Sequence, residues 1–189
     1  MIRLLSHFVF VMFFFATAHA GPVKSPAKLP AFDELADGTR DVRAAVGQAA
    51  AEGRLVMLVF GANWSAESRG FDEDMNAADL GSLLALSYVV VKVDVGRLKK
   101  NLDVAARYGV PVRQGLPAVA LVSGEDRTLM VVDGPKMEEL RREGRPRVVR
   151  FFDAALNPDQ RAWLIQQQEK QKLDRLKQGL PEQLRPKFN

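Results

Sequence analysis

The chain contains no cysteine, and its two histidines, His7 and His19, both fall within the first twenty residues. Beyond them there is no thiolate nucleophile, no disulfide, no Ser-His-Asp triad and no Cys- or His-ligated metal site. A metal would have to be held by oxygen ligands alone, and no cofactor is expected. No segment after the N-terminus is long and apolar enough to span a membrane. An excess of one charge sign is also missing from most of the chain. Residues 21–157 carry 19 basic and 19 acidic side chains, and the surplus sits at residues 158–189, with seven basic against four acidic. The basic balance therefore describes a tail, and no nucleic-acid partner is expected.

What is present begins with an export signal. Arg3 supplies a positive start, Leu4 to Thr17 is almost wholly apolar, and Ala18-His19-Ala20 forms a small-residue cleavage site before Gly21. Residues 1–20 are expected to be removed on secretion across the inner membrane, into the periplasm if the source is a Gram-negative bacterium. Residues 21–36, with Pro22, Pro26 and Pro30, read as a Pro-rich linker. Ser25-Pro26-Ala27-Lys28 matches S-x-x-K in letters but lacks the rigid helix that such a motif needs.

From Thr39 the pattern alternates. Val42, Val46 and Ala49 recur at helical spacing to Glu52, and Gly53 supplies a C-cap. Leu55 to Phe60 is a continuous apolar run, the signature of a strand buried on both faces. Ser65 opens a second helix with Phe71 and Met75 as core positions, and Leu80 to Leu86 adds a short helical piece. Tyr88 to Val95 is the next strand, and Leu102 to Tyr108 a helix closed by Gly109. Ala118 to Val122 and Thr128 to Val132 form a hairpin around Gly124-Glu125-Asp126, and helix follows Asp133. This is an α/β order, a βαβ unit followed by an antiparallel hairpin, giving a central mixed sheet of about four strands flanked by helices.

The junction after the first strand is Gly61-Ala62-Asn63-Trp64-Ser65-Ala66-Glu67-Ser68-Arg69. It resembles the G-A-x-W-C-x-x-C-R loop of the thioredoxin superfamily, and more closely that of exported bacterial thioredoxin-like proteins. Val93-Asp94-Val95-Gly96, Asn101 to Pro111 and Gly115-Leu116-Pro117-Ala118 match the same group, and the resemblance spans roughly Thr39 to Asp153. It implies a thioredoxin-like domain over residues 37–157. It also implies that Ser65 and Ser68 occupy the two redox cysteine positions, that Pro117 is cis, and that Leu116 and Pro117 with Trp64 form a surface for extended polypeptide. Many thioredoxins carry a buried acid where this chain has Val59.

A serine hydroxyl neither ionises near neutral pH nor forms a disulfide, so dithiol exchange is excluded for the chain as it stands. Ser65 lacks a base to make it a nucleophile. It is expected to cap its helix, a contribution of ~1 kcal/mol, with Ser68 a polar residue in the first turn. The acidic run Glu67, Asp72, Glu73 and Asp74 reads as a solvated helix start. Residues 158–189 are expected to form a basic helical tail, largely solvated, with at most weak contact to an anionic surface. Two functional expectations follow. One is a non-catalytic interaction module that binds extended or unfolded polypeptide, or a specific envelope protein, through Trp64, Leu116 and Pro117. The other is a thiol-disulfide oxidoreductase represented here in a Cys-to-Ser form.

Overall fold

The computed structural model describes residues 30–156 and 158–179. The expected export signal, most of the linker, Asn157 and the end of the tail lie outside them, as do the side chains of Trp163 and Leu164.

Helix α1, Gly38–Glu52, starts where the Asp37 carboxylate accepts the Arg40 N–H at 3.0 Å, and ends at Gly53, whose φ of 65° lets its N–H reach Ala49. Strand β1, Leu55–Gly61, is buried at all seven positions. The connection to strand β2, Tyr88–Asp94, runs through helices α2, Ala66–Met75, and α3, Ala78–Ser87. Helix α4, Leu102–Arg107, and a single 3-10 turn, Val112–Gln114, lead to the hairpin of β3, Ala118–Val122, and β4, Thr128–Val132. Helices α5, Gly134–Arg142, and α6, Arg145–Ala154, follow, split at Gly144, where φ is 94°, with Pro146 in the first turn of the next helix. The long helix α7, Pro158–Gly179, closes the described chain.

The sheet order is β2-β1-β3-β4, with β1 parallel to β2 and antiparallel to β3, so the mixed four-stranded sheet is as expected. Alternate residues of β1 and β3 feed two cores. Met57, Val59, Val119 and Leu121 meet α2, α3, α5 and α6 through Phe71, Leu80, Met137 and Phe152. Val56, Leu58, Phe60 and Ala120 meet α1 and α4 through Val42, Ala45, Ala49 and Val104. Each such large side chain stabilises the fold by ~1.5–3 kcal/mol on burial. A buried hydrogen bond ties the helical layer to the sheet: the Tyr88 hydroxyl donates to the Phe152 carbonyl at 2.6 Å. Opposite, Asp126 turns the hairpin at φ 60°, held by Arg107 and by the Tyr108 hydroxyl at 2.6 Å. Burial, and then the Asp126 carboxylate, push the Tyr108 phenol up to about 12, so it stays a neutral donor over the range in which proteins work.

The tail joins the domain at one end. Arg161 donates to the Asp153 carbonyl at 2.7 Å, while Ile165, Leu173 and Leu176 are exposed along α7. Among the described residues no helix is long and apolar enough to cross a membrane.

Candidate functional site

The strand directions bring four connections to one end of the sheet. β1 and β2 end there in register, Gly61 opposite Asp94, and β3 begins there, Ala118 opposite Phe60. The β1–α2 loop with Trp64 and Ser65 is therefore central. The β2–α4 loop lies on one flank, and Leu116-Pro117 lies on the other beside the start of α5.

Ser65 caps α2, as expected. Its φ of −79° and ψ of 119° are extended, and its Oγ accepts the Ser68 N–H at 3.1 Å. Ser68 departs from expectation. It is fully buried, and its Oγ has no hydrogen-bond partner among the described residues. An unmet buried hydroxyl costs ~1–3 kcal/mol. A thiol, a weak donor and weak acceptor, incurs far less of that penalty in the same niche. The burial was readable in the spacing: Ser68, Phe71, Asp72 and Met75 fall at i, i+3, i+4 and i+7 and form the buried stripe of α2.

Trp64 is 53% exposed. Its indole Nε1 donates to the Gly96 carbonyl at 2.6 Å, which fixes the ring as a half-open platform bridging two loops. The Leu116-Pro117 bond is cis. Pro117 is buried and Leu116 half-buried, and the Leu116 N–H and C=O make no hydrogen bond to any described residue. Trp64, Leu116 and Pro117 thus share one end of the sheet, while Ser68 lies beneath the loop in the core.

The acidic run of α2 is not simply solvated. Asp72 is buried and paired with Lys92 of β2 at 3.0 Å. Arg141 of α5 reaches Asp74 at 2.8 Å and Glu67 at 2.7 Å. It lies flat against Gly70, where a Cβ would sit 2.4 Å from its guanidinium. These carboxylates are consumed in fastening α2 to its neighbours, which hydropathy and charge pattern alone did not reveal. Among the described residues no group of three or more Asp, Glu, His or Cys side chains is placed to hold a metal ion.

The N-terminal approach is also fastened. The Asn63 side chain accepts the Phe32 N–H at 2.9 Å and donates to the Phe32 C=O at 2.8 Å, copying a strand pairing. The fully buried Phe32 ring fills the space over Gly61, where a Cβ would lie 2.2 Å from it. Residues 30–36, the end of the stretch read as a linker, are thus docked on the domain. The prolines signalled extended backbone, and they carried no information about Asn63.

A thioredoxin-like family model matches residues 37–124. The structure is similar to that of a disulphide isomerase from Xylella fastidiosa Temecula1, with 30% identity over 68% of this chain and 98% of that one, and a TM-score of 0.63. The chain belongs to the thioredoxin superfamily. A thioredoxin from Thermus thermophilus is similar at 24% identity, over 53% of this chain and 78% of that one, with a TM-score of 0.41. No curated protein matches the chain. The chain has no cysteine, so neither the β1–α2 junction, the α2 cap nor the cis Leu116-Pro117 turn carries a redox-active thiol.

Proposed function

We propose that this protein is an exported, redox-inactive thioredoxin-like module that binds extended polypeptide at the Trp64, Leu116 and Pro117 surface. The observation that carries the reading is the unpaired backbone of Leu116, at the same sheet end as a half-exposed tryptophan pinned by its indole N–H. A free N–H and C=O side by side accept a strand-like segment by main-chain hydrogen bonds, and an aromatic face holds one of its side chains. Partners of this kind are unfolded or extended segments of envelope proteins. The apolar N-terminus ending in Ala18-His19-Ala20 supports export and a periplasmic setting.

Calorimetric titration of an extended peptide tests the reading. Trp64→Ala should weaken binding by tenfold or more, in the range of an aromatic hot spot, roughly 2 kcal/mol. Methylating alternate peptide amides should abolish it, and reductant should change nothing. Unchanged affinity for both the Trp64→Ala protein and the methylated peptide would place binding elsewhere.

A second reading is favoured by one observation. The buried, unpartnered Ser68 hydroxyl supports a niche better suited to sulfur, as in a dithiol oxidoreductase whose two cysteines are serines in this chain.

A further inference from the structure

The Trp64 platform has cations on both flanks, and one carboxylate, Glu34, reaches the same loop, where it accepts from the Asn63 amide at 3.0 Å. Arg97 and Lys99 follow Gly96, the residue whose carbonyl holds the indole, on the β2 side. Arg113 sits on the β3 side, in the 3-10 turn leading to Leu116. All three are exposed, and none has a carboxylate partner among the described residues. Arg69 adds a fourth charge beside the ring, where its guanidinium donates to the neutral Asn63 carbonyl at 2.7 Å.

Of the other acids at this end, two face a cation and two stand apart from the platform. Glu67 is held by Arg141. Asp94 is buried with Lys100 3.7 Å away. Asp133 caps α5 by accepting the Lys136 N–H at 2.9 Å. Asp103 lines the cleft between α1 and α4. Arg69, Arg97, Lys99 and Arg113 therefore outnumber the Glu34 carboxylate around the platform, a local excess of positive charge in a domain whose residues 21–157 carry equal numbers of both signs.

We propose that the polypeptide taken at this surface is acidic: an extended segment with an apolar side chain on Trp64 and Asp or Glu residues on either side of it. The carboxylates meet Arg97 and Lys99 on one flank and Arg113 on the other. Such rim charges set partner choice and the rate of encounter, and salt screens them. The proposal rests on the polypeptide-binding reading above.

Three peptides of one length, with a central leucine flanked by glutamate, glutamine or lysine, separate the two ideas by calorimetry on the purified chain. The glutamate peptide should bind about tenfold tighter than the glutamine one at low salt and lose that advantage near 0.5 M salt, where the Debye length falls to a few ångströms. The triple variant Arg97→Glu, Lys99→Glu, Arg113→Glu should reverse the order and favour the lysine peptide. Equal affinity for all three peptides would overturn the acidic preference and leave polypeptide binding standing. Failure of all three to bind would remove both. Binding to vesicles of anionic phospholipid, with no peptide bound, would overturn the proposal in favour of a membrane surface.

Discussion

Gly134→Ala is expected to be the most damaging small substitution in the domain, lowering stability by about 3 kcal/mol, at the upper end of overpacking costs. A Cβ at this first residue of α5 would lie 2.3 Å from the Gly115 carbonyl carbon and 2.4 Å from its Cα. Both are backbone atoms, so no rotamer change relieves the clash. Gly115 itself has φ 149°, a conformation that admits little else, so it does not yield easily either. The damage should extend to function, because Leu116 follows directly. Urea denaturation measures the first effect and peptide titration the second. Gly47→Ala is the control. Its Cβ would meet nothing within 4 Å on the exposed side of α1, and it should stabilise by ~0.5–1 kcal/mol. A loss below about 1 kcal/mol for Gly134→Ala, inside the ordinary range of point substitutions, would show that the loop gives way.

The double substitution Ser65→Cys, Ser68→Cys has the largest expected effect on activity. Residue 65 caps α2 and is 8% exposed, so a thiol there sits among free N–H groups at the positive end of the helix. Residue 68, one turn on, lies beneath it. The pair should form a disulfide reversibly and catalyse thiol-driven reduction of a protein disulfide, for which the present chain has no chemistry. Ser68→Cys alone should raise stability by ~1 kcal/mol, since it replaces an unmet buried hydroxyl with a group of weak hydrogen-bonding demand. Absence of turnover in a folded double variant would mean that the loop has diverged beyond its two serines.

Much of this was legible before any coordinates. The six apolar letters of Leu55 to Phe60, the capping glycine after α1 and the Gly-Glu-Asp turn each act locally, through propensity and burial, and the elements appear where those signals put them. Ser65 was legible for the same reason, since an N-cap is a contact across three residues. What escaped involves partners far away in sequence. Arg141 finds acids 67 and 74 residues before it, and Asn63 pairs with a segment 31 residues upstream. No periodicity encodes such pairings; only the assembled topology does. Trp64 and Pro117 were found through the family resemblance, while the anchoring of the indole to Gly96 needed the fold.

The Gly115–Gly134 contact matters beyond packing, because it closes a circuit. From the Leu116 turn the path runs through Gly134 into α5, along α5 to Arg141, across to Glu67 and Asp74, up α2 to Ser65 and Trp64, and back through β1 to Ala118 beside Pro117. Each link is a backbone contact, an ion pair or a strand pairing, and both halves of the proposed binding surface hang on the same ring. A ligand spanning Trp64 and Leu116 therefore spends little of its binding energy on ordering the receptor. Cutting the ring at Arg141, remote from the ligand, should leave every contacting residue in place and still loosen the grip.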